Sequence, residues 1–237
     1  MDIIAHRGAS SYAPENTLPA FQKAIEQGAD AIELDVRCTK DGIPVVCHDA
    51  TINRTSNGKG YLHNMTLDEL KSYRFFHTFK KRYPQVTIPT LEEVLLFLRT
   101  ENITLHLEIK QGPHIDRTIE QKIVSLIYKY DFEERCIYSS FDHYSLVRVH
   151  KLDPRAKLGF LLHMNLIDVF SYVKRANVPV YSLHVHHFYI TKEIVEEAHN
   201  RAMKVNGYTV NNRALAKKYE ELQIDGLITD DPLILTE

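Results

Sequence analysis

The chain has 237 residues, 44% hydrophobic and 25% charged, which suits one large domain or two small ones with a full core. A formal net charge of −2 gives no global basis for holding nucleic acid or a membrane surface, and no apolar run approaches the ~18 residues of a spanning helix. Cys38, Cys47 and Cys136 have neither disulfide-like parity nor zinc-like spacing, so reduced thiols in a soluble, cytoplasmic protein are expected, with no signal peptide ahead of Met1–Ala5.

In chain order, a short apolar strand over 2–6 ends at His6-Arg7-Gly8, a polar strand end followed by a loop. Thr17 reads as the N-cap of a helix with Pro19 in its first turn. Its apolar stripe is Leu18, Phe21, Ala24 and Ile25, and Gly28 suits the position after its end. A strand over 31–37 follows. Lys40-Asp41-Gly42 then turns the chain into an extra hairpin strand over 43–47 that ends on His48-Asp49, where Cys38 and Cys47 are placed to face each other. Residues 50–89 break the rhythm: they carry seven Lys or Arg against two acidic residues and a Thr66/Glu69 capping box. The stretch reads as a solvated basic insertion that could also steer an anionic substrate. Phe75, Phe76, Phe79 and Tyr83 are expected to form its small core.

From Thr90 the pattern is regular. Helices over 90–100, 116–129, 142–151, 166–175, 191–201 and 212–221 alternate with strands over 103–109, 136–140, 157–162, 180–186, 203–209 and 226–229. With the strands at 2–6 and 31–37 the main series has eight members, the number of a (β/α)8 TIM barrel. A doubly wound open sheet is the weaker alternative, because no Gly-x-Gly-x-x-Gly follows the first strand.

Strand side chains alternate between faces, so in Ala-Ile-Glu-Leu-Asp-Val-Arg the residues Ile32, Leu34 and Val36 share one face and Glu33 and Asp35 the other. Taken alone, this strand also fits a half-exposed sheet with a polar solvent face. The same alternation puts Glu108 with His106 and Lys110 on one face of the 103–109 strand. Glu33, Asp35 and Glu108 make an oxygen-only set that suits one hard divalent cation, Mg2+ or Ca2+, with Mn2+ a further option. His6 and His48, at strand ends, are candidates for an acid–base pair on a phosphate, and Arg7 and Lys110 for holding its oxygens. An ion pair with a barrel carboxylate would explain either cation as well.

His6-Arg7, Glu15-Asn16, Glu33-x-Asp35 and His48-Asp49, in that order, resemble the glycerophosphodiester phosphodiesterase family. The resemblance continues through Leu107–Lys110, Ser139-Ser140-Phe141, Val205–Asn211 and Asp225–Pro232, nearly the whole chain. It implies a barrel with a small insertion after the His48 hairpin, making 1–237 a single domain with its insertion at about 50–89. It implies Glu33, Asp35 and Glu108 as metal ligands, His6 and His48 as acid and base, and Arg7, Glu15, Asn16, Lys110 and Tyr208 on the substrate side. The family usually has Trp where Tyr208 stands. The expected reaction is metal-dependent hydrolysis of a small glycerophosphodiester to sn-glycerol 3-phosphate and an alcohol, with the neighbouring 2-hydroxyl as first nucleophile. The alternatives are a lysophospholipase D-type enzyme, a metal-dependent sugar isomerase barrel and a non-catalytic metal-binding barrel. Assembly as a homodimer is left open, and neither nucleic acid nor a transmembrane segment is expected.

Overall fold

Strands β1 (Asp2–His6), β2 (Ala31–Cys38), β3 (Pro44–Val46), β4 (Thr104–Ile109), β5 (Cys136–Ser140), β6 (Lys157–Leu162), β7 (Ser182–His186), β8 (Lys204–Tyr208) and β9 (Gly226–Thr229) form one sheet in the computed structural model, which describes residues 1–236. All but β3 run parallel to their neighbours, and β1 pairs with both β2 and β9. That double pairing closes eight strands into a barrel, as the strand count predicts. β3 lies antiparallel on the edge of β2 and is the extra hairpin strand.

Helices α1 (Leu18–Glu26), α2 (Leu67–Lys71), α3 (Leu91–Leu98), α4 (Ile119–Lys129), α5 (His143–Leu152), α6 (Val169–Arg175), α7 (Lys192–His199) and α8 (Arg213–Glu221) complete the order. All but α2 stand in the outer ring, and the main apolar core fills the layer between them and the barrel. Ile32, Leu34 and Val36 of β2 point into that layer, with Leu105, Leu107 and Ile109 of β4 beside them, all essentially inaccessible to water. The other face of each strand therefore points into the barrel, where Glu33, Asp35, His106, Glu108, Ser139, His184 and Asn206 are all buried. Among the described residues, no helix is long and apolar enough to cross a membrane.

Local chemistry sets the element ends. Thr66 and Thr90 each close a reciprocal capping box, with Glu69 and Glu93. Asp168 accepts the Ser171 backbone N–H, so α6 starts at Val169 rather than at 166. Similarly, Thr118 folds onto Asp116 through its backbone N–H and hydroxyl, and α4 begins only at Ile119. Thr17 has the extended backbone of an N-cap, but its hydroxyl donates backwards to the Pro14 carbonyl and leaves the helix uncapped by a side chain.

Two expectations about the hairpin region need correction. Cys38 is level with Pro44, whereas the Cys47 backbone N–H donates to Asp35, so the two thiols do not face each other; all three cysteines are free and buried. The small core beside β3 takes Phe75 with Val45, Cys47, Ile52, Leu62, Leu70 and Ile88. Phe76, Phe79 and Tyr83 stay half-exposed outside it, with Lys80 over Phe76 and Arg82 over Tyr83.

Candidate active site

Register assembles the site. His6 is level with Glu33 on the neighbouring strand, and Asp35 is level with Glu108. One carboxylate oxygen from each of Glu33, Asp35 and Glu108 lies within 4.8 Å of the others, and all three residues are buried. Lys110 reaches back over this cluster, its Nζ 3.1 Å from Asp35 Oδ1 and 2.5 Å from Glu108 Oε1. Arg7 closes it from β1: its backbone N–H donates to Glu33 Oε2 at 2.9 Å, and its Nε lies 3.4 Å from Asp35 Oδ2.

That backbone bond needs an unusual turn. Arg7 has φ +58°, a left-handed conformation that costs a non-glycine residue energy and clusters at functional sites. Gly8 follows at φ +82°, where a Cβ would sit 2.7 Å from the Ala20 backbone, so the chain can pass this close to α1 only as glycine.

The charges are unevenly shared. Burial, with Asp35 and Glu108 nearby, pushes Glu33 well above the usual carboxylate range. Burial likewise pushes Glu108 up to about 7 in spite of Lys110. Asp35 resists its own burial because Lys110 and Arg7 face it, and it stays well below the usual range. Three buried carboxylates served by two cations are under-compensated. A divalent cation fits this oxygen-only donor set and would relieve that repulsion.

A cavity of about 220 Å3 opens on this cluster and is lined by His6, Arg7, Glu33, His48, Glu108 and Lys110 together with Phe141, His163 and Tyr208. Seven of the ten residues singled out in the sequence thus share one wall. Asp35, fully buried, lies behind it. Glu15 and Asn16 also stand behind the cavity rather than on it. Glu15 accepts from Arg7 Nη1 at 2.7 Å and from both terminal nitrogens of Arg54, while Asn16 donates to Asp35 Oδ2 at 2.7 Å and accepts the Asp35 backbone N–H. A larger surface cavity of about 620 Å3 between the β6–α6 loop and α7 contains none of the ten.

Both histidines have a carboxylate on Nδ1. His6 is 2.6 Å from Asp230 Oδ1, and His48 is 2.7 Å from Asp49 Oδ1. Such a bond sets the tautomer and leaves Nε2 for chemistry. The partners differ. Asp49 is shared with Arg54, whereas Asp230 accepts otherwise from the neutral donors Ser10 and Asn211. Burial pulls His48 below the ordinary imidazole value despite Asp35. Strand periodicity does not reveal these two aspartates, because both lie in loops. The dipeptide His48-Asp49 and the run Thr229-Asp230-Asp231-Pro232 are the only traces they leave.

A model of the glycerophosphoryl diester phosphodiesterase family matches residues 6–234. The glycerophosphodiester phosphodiesterase of Caldanaerobacter subterraneus subsp. tengcongensis is 41% identical, over 97% of this chain and 94% of that protein. That of Bacillus altitudinis is 38% identical over the same shares, 97% and 94%. The structure of an Oleispira antarctica phosphodiesterase in complex with the product sn-glycerol-3-phosphate is similar with a TM-score of 0.91, at 29% identity over 98% of this chain and 94% of that one. Similarity that runs from end to end, on a barrel whose carboxylates, histidines and basic residues meet at one cavity, has a plain consequence: the chain belongs to the glycerophosphoryl diester phosphodiesterase family.

Proposed function

We propose that this chain hydrolyses glycerophosphodiesters to sn-glycerol 3-phosphate and an alcohol, with one divalent cation on Glu33, Asp35 and Glu108 and with His6 and His48 exchanging the protons. The observation that carries the reading is the convergence on one cavity of a buried three-carboxylate cluster and two histidines, each backed by its own carboxylate. Bound there, Mg2+ or Ca2+ (Mn2+ being the third option) would supply electrostatic neutralisation of the phosphoryl group.

The chain's own residues do the rest. Arg7 presents a planar fork and Lys110 a point charge to the phosphoryl oxygens. Glu15 and Asn16 act one step back: Glu15 fixes the Arg7 guanidinium and Asn16 the Asp35 carboxylate. His48, held neutral by burial, takes on Nε2 the proton of the attacking glycerol 2-hydroxyl. His6, whose Asp230 accepts otherwise from Ser10 and Asn211, gives a proton from Nε2 to the departing alcohol oxygen. Water then opens the cyclic phosphate with the roles exchanged: His6 takes a proton of the water and His48 returns one to the glycerol 2-oxygen. Tyr208 lines the cavity in place of the usual Trp and ties its hydroxyl to the Leu162 carbonyl. We read 1–237 as one phosphodiesterase domain with an insertion at about 50–89, working in the cytoplasm, where three buried free thiols stay reduced.

The cavity lining favours a water-soluble diester over a lyso-lipid. Most of the side chains that line it are charged or polar, His6, Arg7, Glu33, His48, Glu108 and Lys110 among them, and give an acyl chain little to pack against. The test is release of glycerol 3-phosphate from glycerophosphocholine and glycerophosphoethanolamine, after EDTA and then with Mg2+, Ca2+ or Mn2+ restored, beside choline release from lysophosphatidylcholine. Cation-dependent release from the soluble diesters is expected. Cleavage of the lyso-lipid alone would move the function to the phospholipase D type, and silence on every substrate and cation would overturn the enzymatic reading.

A further inference from the structure

Across the barrel from β2, four consecutive strands each carry a ring at or just past the carboxyl end: Phe141 after β5, His163 after β6, His186 ending β7 and Tyr208 ending β8. These rings form a closed circuit. Centroids are 6.3 Å apart for Phe141–His163, 5.0 Å for His163–His186, 5.5 Å for His186–Tyr208 and 6.0 Å for Tyr208–Phe141. Adjacent planes meet at 82°, 89°, 83° and 77°. A four-sided circuit of that edge has its centre ~4 Å from each centroid, inside the ~6 Å over which a ring face attracts a cation.

Three of the four rings, Phe141, His163 and Tyr208, line the same cavity as His6, His48 and the carboxylates. Two polar atoms of the collar are already engaged. Tyr208 already donates to the Leu162 carbonyl at 2.9 Å, and the Phe188 backbone N–H points at His186 Nδ1 from 3.4 Å. Among the described residues, the carboxylates lining the cavity are Glu33 and Glu108, both in the cation cluster. Asp142, next to Phe141, is held by Arg148 at 3.1 Å.

We infer that this four-ring collar is the subsite for the alcohol half of the diester and selects a quaternary ammonium alcohol over a primary ammonium or neutral one. The assignment of the alcohol half rests on the phosphodiesterase reading. A primary ammonium has three N–H donors that need acceptors when it leaves water. A trimethylammonium has none and is held by ring faces alone. Burial, with His187 and His163 nearby, holds His186 below its ordinary value and keeps its ring neutral at pH 7. A neutral alcohol carries no charge for the ring faces to attract.

The test compares kcat/KM on glycerophosphocholine, glycerophosphoethanolamine and glycerophosphoglycerol for the wild type, Phe141→Leu and His186→Leu. Calorimetric binding of tetramethylammonium to the same three cation-loaded proteins is measured in parallel, and melting curves establish that the variants fold. The expected result is a preference of about tenfold for the choline diester in the wild type, cut to within about threefold in each variant, with tetramethylammonium binding weakened to match. Should Phe141→Leu fail to fold, His186→Leu carries the comparison alone. Equal kcat/KM on the choline and ethanolamine diesters in the wild type, or a preference that survives both substitutions, overturns the inference. Ring-dependent binding of tetramethylammonium by a protein that cleaves no diester would instead overturn the phosphodiesterase reading and leave the collar as a quaternary ammonium site.

Discussion

His6 and His48 are chemically alike but differently backed, and the difference is testable residue by residue. In the proposed mechanism either alanine substitution removes a proton carrier, so kcat on a soluble diester should fall by at least ~10²-fold while the cation still raises the melting temperature. Loss of both activity and cation response would place the residue in the metal cluster instead. Asp230→Asn keeps the shape but withdraws the charge from His6. A loss of about 10- to 100-fold in kcat with KM little changed is expected, because His6 loses the carboxylate that orients its ring. An unchanged kcat would deny Asp230 its positioning role. Deeper in the barrel, His184 is fully buried beside Ser182 and His106, and burial pushes it down to about 4. A lowered histidine contributes stability that is complete above its unfolded value near 6.5 and is lost as pH falls through about 4. The full loss amounts to about 3–4 kcal/mol. Urea unfolding at pH 7, 5.5 and 4.5 should show a steeper decline for the wild type than for His184→Gln.

At the scale of elements, the strand–loop–helix unit at the start of the chain couples stability to chemistry. Gly8→Ala forces a Cβ against Ala20 at an unfavourable φ, and it does so one residue from the N–H that Arg7 gives to Glu33. Destabilisation of more than ~1 kcal/mol is expected, together with a fall in kcat/KM. Thr90→Ala breaks only a capping box on α3 and should cost about 1 kcal/mol in urea unfolding with kcat unchanged. Such units were the legible part of the sequence. Alternation in β2 and β4 determined which side chains share a face, so Glu33, Asp35 and Glu108 could be grouped from the sequence, and Thr66/Glu69 announced its helix. What stayed hidden depends on packing across long separations. Asp230 meets His6 from 224 positions away. The ring collar needs four strand ends to come level in a closed sheet. Phe76, Phe79 and Tyr83 read as core by type, but Lys80 and Arg82 cover two of them and only Phe75 has an apolar layer to enter.

For the molecule as a whole, the carboxylate cluster joins two strands that are neighbours in the barrel but far apart in sequence, so a cation there should act as a staple as well as a cofactor. The three carboxylates come from β2 and β4, with the entire 50–89 segment between them in the chain. A ligand present at about 100 times its dissociation constant stabilises the folded state by ~2.7 kcal/mol, which for a chain of this size corresponds to about 5–10 °C in melting temperature. EDTA-treated protein should therefore melt that much lower than protein in Mg2+ or Ca2+. The sign of its pH dependence follows from Glu108. With its carboxyl pushed up to about 7, the cation-free fold is favoured by protonation below the ordinary value near 4.5, and that contribution is lost as pH rises through 7. The cation competes with the same proton, so the gap between loaded and stripped protein should widen from pH 6 to pH 8. Buried histidines such as His184 slope the opposite way, but they are common to both preparations and cancel in the difference. Glu108→Gln removes a ligand and the titration together, and should abolish both the gap and its pH dependence. A gap that persists in Glu108→Gln would show that the cation binds elsewhere, and no gap in the wild type with any divalent cation would rule out the carboxylate cluster as its seat.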